Sequence, residues 1–378
     1  MHTCADMCIL PAMSSIHTAD SPMPGLSAAR TVRFWSDWFN TEVADFWLAH
    51  LPARWRFNRL LARVCERRPA AADAVTLRLR VPRRWTPAVA GQHVDVTVEI
   101  DGVRHTRSYS LSAPPSDARH IEITVAKVAG GKVSGYLCSR LQAGDVVQIS
   151  PPYGGLRLPE GTHAPLLLLA AGSGITPLRA LLLDALERGW RGTITLGYWA
   201  QTRQSLCFAE QWQALQAQHD LLRVNTFLTR DPSAPAARIN AESLAQLAPD
   251  LAERTVLACG PAGFVDLART LSAGAAAFHA EGFTPPTSPA SEHRTVRVEL
   301  RRQGLRLDLP TDQPLLAALE SAGQRPAHGC RQGICNTCAC HRISGASRDL
   351  QRDALASEPS TSIRLCVHAA ADDLVLDL

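Results

Sequence analysis

Near the C-terminus the chain reads Gly329-Cys330-Arg331-Gln332-Gly333-Ile334-Cys335-Asn336-Thr337-Cys338, and a further cysteine follows downstream in Arg364-Leu365-Cys366-Val367. Three thiols spaced C-x4-C-x2-C, with a distant fourth, have the ligand spacing of a 2Fe–2S cluster, in which each iron takes two cysteines. Such a cluster moves one electron at a time. Gly329 and Gly333 suit a loop that must wrap an inorganic core closely enough for backbone N–H groups to face its sulfurs, because larger side chains would block that approach. A structural zinc site favours paired short spacings, and disulfide frameworks suit small secreted chains. The cluster is the better match, with Cys330, Cys335, Cys338 and Cys366 as its ligands.

Upstream, three further stretches are suited to phosphate-bearing cofactors. Arg107-Ser108-Tyr109-Ser110-Leu111 offers a guanidinium able to clamp a phosphate with two hydrogen bonds. Gly131-Lys132-Val133-Ser134 opens a helix, whose first N–H groups and dipole favour an anion. Leu166–Ala170 is an apolar run that predicts a buried strand; Gly172-Ser173-Gly174-Ile175-Thr176-Pro177 is a glycine turn, and Leu178–Leu186 is the helix that it opens. That order is a βα loop for a dinucleotide. Pro177 replaces the last glycine of the usual pattern, and proline is well tolerated in the first turn of a helix.

Taken in order, the Arg-x-Tyr-Ser and Gly-x-x-Ser stretches, the Gly144-Asp145 turn, Pro152-x-Gly154, the glycine turn and Cys259-Gly260-Pro261 resemble the ferredoxin–NADP reductase family. The segment from Arg294 to Leu378 resembles a plant-type ferredoxin domain over its whole length. The resemblance implies FAD rather than FMN, held by Arg107, Tyr109, Ser110, Leu111, Gly131, Lys132, Val133 and Ser134. Tyr109 would give the isoalloxazine a flat face, and the Ser110 hydroxyl would lie near flavin N5. The resemblance also implies a pyridine nucleotide on Gly172, Gly174, Thr176, Pro177, Cys259, Gly260 and Pro261, with Cys259 beside the nicotinamide ring. In family members fused to a ferredoxin, a Glu-x-Phe ends the nucleotide domain and its ring lies against the flavin; here that is Glu281-Gly282-Phe283. The implied catalytic set is therefore Ser110, Cys259, Glu281 and Phe283.

Positioning these residues requires several folded units, and 378 residues suffice for two or three. Residues 1–30 lack any period and are expected to be a disordered tail or a misassigned start, since Met7, Met13 and Met23 also stand there. Over residues 31–52, Phe34, Trp35, Trp38, Phe39, Val43, Phe46, Trp47 and Leu51 recur at helical spacing and predict an amphipathic aromatic helix ending before Pro52. Residues 53–160 carry short alternating runs at 60–64, 75–81, 93–100, 120–128 and 146–149, the pattern of an antiparallel β-barrel that would hold the flavin. Residues 161–284 predict an α/β nucleotide domain on a parallel sheet, with strands at 166–170, 193–198, 222–227 and 255–257 and a helix at 262–271. Residues 285–293, rich in Pro and Ser, are a linker. Residues 294–378 predict an α+β ferredoxin domain of β-grasp type, with strands at 295–300, 305–309 and 374–378 and a helix at 314–322. Cys340 is expected to be a buried strand thiol rather than a fifth ligand.

Composition narrows the function classes. The net charge is only +4, Lys127 and Lys132 are the sole lysines, and no basic patch suggests a nucleic-acid partner. Eleven cysteines point to a reducing, cytoplasmic setting. The longest apolar run, Leu166–Ala171, is too short to span a bilayer. The ferredoxin segment has eleven Arg against ten acidic residues, unlike the acidic free ferredoxins, so long-range charge steering is not its main device.

The expected activity is an NAD(P)H-dependent oxidoreductase that passes a hydride's two electrons through FAD and a 2Fe–2S cluster, one at a time, to an external acceptor. The loop Trp199-Ala200-Gln201-Thr202-Arg203-Gln204-Ser205 has no acid to hold a ribose 2′-OH, so Arg203 and Ser205 would grip a 2′-phosphate, favouring NADPH over NADH. The chain as a whole, with its aromatic N-terminal helix, resembles bacterial reductases that serve di-iron acyl desaturases or alkyl hydroxylases. That resemblance implies a membrane-bound acceptor and a location peripheral to the membrane through it. The alternatives are the reductase of a ring-hydroxylating oxygenase, a reductase acting on a small molecule by itself, and a non-enzymatic redox sensor.

Overall fold

Alternating apolar residues close the first part of the chain into a barrel. The computed structural model describes residues 59–115, 117–231, 238–283, 294–351, 354–359 and 361–378. The expected tail, aromatic helix and linker, at 1–30, 31–52 and 285–293, lie outside the described residues. Strands β1 (Leu60–Ala71), β2 (Ala74–Arg80), β3 (His93–Ile100), β4 (Val103–Ser110), β5 (His120–Ala126) and β6 (Val146–Ile149) form one antiparallel sheet, ordered β4-β3-β6-β1-β2-β5. Its edges meet where Leu111 pairs with Ile123 and the Ser112 N–H donates to the Glu122 carbonyl at 2.9 Å. The β3–β4 hairpin turns on Asp101-Gly102, both at positive φ, as a tight two-residue turn requires. Every second residue of the strands points inward: Val94, Val96, Leu77, Leu79, Ile121 and Ile123 are buried together. Helix α1 (Lys132–Ser139) adds Val133 and Leu137 to the same core.

β1 continues well past the expected end at Val64. Its later residues, Glu66-Arg67-Arg68, break the apolar alternation but keep their ladder with β2 after a bulge between Val64 and Glu66. Charged residues can occupy a strand whose outer face meets water, so the change of composition was not a change of structure.

The second unit alternates β7 (Leu166–Ala171), α2 (Ile175–Glu187), β8 (Ile194–Ala200), α3 (Ala209–Gln218), β9 (Leu222–Leu228), α4 (Ala241–Leu247), β10 (Thr255–Gly260), α5 (Ala262–Leu271) and β11 (Ala277–Gly282). All five strands are parallel, ordered β11-β10-β7-β8-β9. β7 is apolar throughout because both its faces are covered: Leu166 and Leu168 pack with Leu178 and Leu181 of α2, Leu167 and Leu169 with Leu244 and Ala268 from the other side. The sequence pattern missed β11. Its Ala-Phe-His-Ala-Glu-Gly has no apolar run, yet it pairs with β10 from Ala277–Thr255 to Gly282–Gly260 and so sets Glu281 beside Cys259.

The third unit has β12 (Thr295–Leu300), β13 (Leu305–Pro310), α6 (Leu315–Ser321), β14 (Ala339–Ser344), β15 (Ser347–Asp349), β16 (Ala354–Ala356), β17 (Thr361–Arg364), β18 (His368–Ala370) and β19 (Leu374–Leu376). The main sheet runs β13-β12-β19-β14-β17, with the central β12–β19 pair parallel, and a small sheet runs β16-β15-β18. The first, buried face of α6 (Leu315, Leu316, Leu319) packs on Val298 and Leu300, the mixed sheet and single helix of a β-grasp. Arg342, fully buried, holds the small sheet to the large one through Ser347 Oγ at 2.8 Å and the carbonyls of Ala356 and Glu358. Cys340 is buried on β14, as expected.

Leu137 is fully buried under the barrel. Leu137→Ala is expected to cost about 2–5 kcal/mol through the cavity it leaves, read as an earlier urea transition of the barrel's own signal and earlier loss of bound flavin.

Candidate functional site

Three of the motifs, far apart in the chain, line one cleft of about 370 Å³. β4 contributes Arg107, Tyr109 and Ser110; the start of α1 contributes Gly131 to Ser134; the turn after β7 contributes Ser173 and Thr176. Arg107 is exposed at the cleft and donates one N–H to its neighbouring Thr106 carbonyl at 2.7 Å. Ser110 is 6% exposed, and burial pushes the Tyr109 hydroxyl pKa well up, keeping the ring neutral and its face apolar.

The cleft fits a flavin nucleotide on two observations. No side chain caps the N-terminus of α1, so its first N–H groups are left for an anion. A Cβ at Gly131 would sit 2.5 Å from Ser134 Oγ, so only glycine lets the chain fold back there, where the Val128 N–H donates to that same hydroxyl at 3.2 Å. Leu111 takes no part through its side chain; it is fully buried in the barrel core.

The nucleotide motifs meet at the carboxyl edge of the parallel sheet, where ligands of such sheets bind. Gly172 has φ +55, and a Cβ at Gly174 would stand 2.0 Å from the Cys259 carbonyl oxygen. The turn after β7 and the end of β10 therefore touch backbone to backbone, Gly174 against Cys259 and the Gly260 nitrogen. Cys259 itself is fully buried; its Sγ donates to the Glu281 carbonyl at 3.2 Å, and burial pushes its pKa far up, so it is a neutral thiol set back from the cleft. Arg203 is exposed on the turn after β8, and its guanidinium makes no hydrogen bond among the described residues, whereas the Ser205 hydroxyl closes that turn by donating to the Thr202 carbonyl at 2.9 Å and accepting from its N–H at 3.0 Å.

In the cysteine loop the thiols fall into two pairs. Cys330 and Cys335 are in hydrogen-bond contact, as are Cys338 and Cys366. Two pairs suit two irons. The N–H groups of Cys330, Gln332, Gly333 and Cys335 donate to cysteine sulfurs at 3.2–3.3 Å. Within each pair the partner's hydrogen bond lowers the pKa of one thiol, Cys335 and Cys338, toward the thiolate form that a metal takes. Gly333 has φ +73, and a Cβ there would press on Val367 at 2.8 Å. The loop also carries Arg331 and Asn336 at φ +58 and +57. Arg331 is held by a two-pronged bond to Glu320 of α6, at 2.7 and 2.6 Å.

This loop docks on the cleft. Gln332 lines it, and its Nε2 donates to the carbonyl of Phe283 at 2.7 Å. Phe283 lines the same cleft and is tied back to Gly260 by its N–H at 2.8 Å. Glu281 does not reach the cleft lining; it lies behind it against His93. Sequence reasoning missed Gln332 and His93. Gln332 lay inside the cysteine loop and offered no signal beyond that; His93 was an ordinary strand residue.

Family models match three consecutive segments: an oxidoreductase FAD-binding domain at residues 62–158, an oxidoreductase NAD-binding domain at 168–270 and a 2Fe-2S iron-sulfur cluster binding domain at 298–370. The chain is 32% identical over 332 residues to an NADPH oxidoreductase of Mycobacterium tuberculosis, covering 86% of each chain. It is 32% identical over 295 residues to the ferredoxin reductase component of 3-ketosteroid-9-alpha-monooxygenase from the same species, covering 74% of this chain and 76% of that one. Among solved structures, phthalate dioxygenase reductase has the same fold, with a TM-score of 0.57 at 24% identity over 85% of this chain and 98% of that one.

Gly174→Ala is expected to force the two loops apart, costing about 1–3 kcal/mol of stability and raising the Kd for the pyridine nucleotide about tenfold or more. Nucleotide titration checks the affinity, and unchanged flavin content checks that the barrel is intact.

Proposed function

Since the chain belongs to the family of oxidoreductases that join FAD-binding, NAD-binding and 2Fe-2S domains, we propose that it is the electron-supplying reductase of a separate oxygenase-class enzyme. The observation that carries this is the contact of the cysteine loop with the cleft through Gln332 and Phe283. It puts the cluster ligands beside the flavin pocket in the same body, so electrons have a short route out. When bound, the flavin takes a hydride and yields its electrons singly, and the cluster passes single electrons on. The residues do the positioning. Arg107 and the α1 N-terminus hold phosphate, Tyr109 and Phe283 flank the ring site, and the paired loops of Gly174 and Cys259 seat the nicotinamide end.

Two finer choices follow. The acceptor we favour is a di-iron acyl desaturase or alkyl hydroxylase, membrane-bound, on the strength of the aromatic stretch at 31–52. The second reading is a ring-hydroxylating or other monooxygenase system; two similar proteins are named as reductase components of 3-ketosteroid-9-alpha-monooxygenase and of phenol 2-monooxygenase. For the donor we favour NADPH, because no acid follows β8 and Arg203 is free to meet a 2′-phosphate.

NADPH-driven reduction of cytochrome c by the purified chain, followed by reconstitution with host membranes and then with soluble oxygenase fractions, tests the assignment. Reduction of cytochrome c without support of any oxygenase or desaturase would remove the acceptor reading. Cys338→Ser is expected to separate the half-reactions. The nucleotide still bleaches the flavin and ferricyanide is still reduced, while cytochrome c reduction collapses. Arg203→Ala should lower kcat/KM for NADPH about tenfold or more, the worth of a hydrogen bond to a charged group, and leave NADH unchanged. An unaltered NADPH-to-NADH ratio would place the 2′-phosphate elsewhere.

A further inference from the structure

A buried acid–base pair joins the barrel to the nucleotide sheet at the cleft wall, where His93 lines the cleft and Glu281 lies behind it. His93 on β3 is 1% exposed, and its Nε2 stands 2.8 Å from Oε2 of Glu281 on β11. The approach is short but bent, since neither atom has an aligned hydrogen-bond partner, so the contact is one of charge more than of direction. The imidazole is otherwise enclosed by rings, Tyr153 at 5.9 Å and Phe283 at 6.2 Å, both edge-on. Its backbone is pinned, with the His93 N–H donating to the Tyr153 carbonyl at 2.7 Å and the Tyr153 N–H donating back at 3.0 Å.

The charged groups facing the pair are few. Asp95 lies on the same strand as His93, but it accepts from the Tyr153 hydroxyl at 2.6 Å and from Ser108 at 2.5 Å. Arg157 is near Glu281 and donates to its own neighbour's carbonyl at 2.9 Å. Burial pulls the imidazole's pKa down, but the Glu281 contact and charge, with smaller help from Gln92 and Asp95, outweigh it and raise the pKa above the usual 6.5. A buried carboxylate left without its cation is costly, so each partner defines the other's charge. Two residues past Glu281 stands Phe283, which carries both the cleft wall and the carbonyl bonded by Gln332.

We propose that His93 is a positioning residue of the hydride-receiving pocket, clamping Glu281 and with it the strand end that carries Phe283, and that the charge of the His93–Glu281 pair governs how flavin reduction depends on pH. The proposal rests on the flavin-reductase reading of the cleft. In that reaction a hydride leaves the dihydronicotinamide, which becomes the cationic nicotinamide, and its electron pair and proton arrive together in the pocket, which gains negative charge. With His93 protonated the pair is neutral and does not oppose that gain. With His93 neutral, the Glu281 carboxylate keeps only the more distant Arg157 as a positive neighbour, and its charge opposes that gain. The favourable state is therefore complete below 6.5 and is lost as pH rises through the raised value of the folded protein.

Two measurements on the full chain test this. The first needs no turnover: the His93 imidazole, isotope-labelled and assigned by its disappearance in His93→Gln, should titrate above 6.5 in the wild type and move down in Glu281→Gln. The second is the rate constant for reduction of the bound flavin at saturating NADPH. It should fall as pH rises through that same value in the wild type. In His93→Gln the inflection should vanish, with the rate at pH 6 reduced about tenfold and the nucleotide Kd changed less than about twofold. If His93→Gln does not fold, Glu281→Gln must show the same loss of the inflection. An inflection that survives in a folded variant, or an imidazole that ignores Glu281→Gln, overturns the proposal. A wild type that accepts no electrons from either nucleotide defeats the flavin-reductase reading instead, and the imidazole titration then still decides whether the pair exists.

Discussion

Electron transfer between two bound cofactors falls off steeply with their separation, so the arrangement of this molecule depends on the hydrogen bond from Gln332 to the Phe283 carbonyl. One residue comes from the cysteine loop, the other from the end of the nucleotide sheet, and both line the cleft that the barrel motifs form. Three units thus converge on a single point. The barrel and the β-grasp each have a core of their own, whereas the core on one side of the parallel sheet also takes in Ala74 and Ala90 of the barrel.

Close backbone approach is the means by which those loops reach one another. Gly131, Gly174 and Gly333 each stand where a methyl group would collide with a neighbour, at 2.5, 2.0 and 2.8 Å respectively. The reason differs at each site. At Gly131 the chain folds back under an uncapped helix start; at Gly174 two sheet-edge loops touch; at Gly333 the cysteine loop doubles over Val367 with φ +73. At Gly333 the N–H donates to the Cys366 sulfur at 3.2 Å, and at the uncapped start of α1 the free N–H groups would meet an anion, which is how an uncharged backbone contributes to binding charged cofactors.

Buried charge is treated with equal economy. The two terminal nitrogens of Arg342 donate to a hydroxyl and two carbonyls and hold two sheets together, while its Nε has no partner among the described residues. Cys259, although in a motif that the family places by the nicotinamide, is a neutral and fully buried thiol. Its backbone, rather than its sulfur, meets the glycine turn. His93 and Glu281 form a buried pair of another kind, an imidazole 2.8 Å from a carboxylate that raises its pKa.

The cysteine spacing, the glycine turns and the order of the three units were legible in the amino-acid sequence, because each depends on residues close together in the chain. C-x4-C-x2-C, Arg107 to Ser110 and Gly172 to Pro177 are local patterns, and the periods of two and of helical spacing follow from local backbone geometry. Where local pattern failed, packing had replaced it. β1 runs on through Glu66-Arg67-Arg68 because its partner strand holds it, and β11 exists because β10 offers a free edge to residues with no apolar run of their own. The site was divided in the same way. Ser110 and Phe283 line the cleft as the motifs implied, but Leu111 belongs to the core, Ser205 closes its own turn, and Glu281 turns away toward His93. Only the tertiary structure decided those outcomes, because the contacts join residues remote in sequence whose meeting depends on how a barrel, a sheet and a loop stack, and no local signal encodes that.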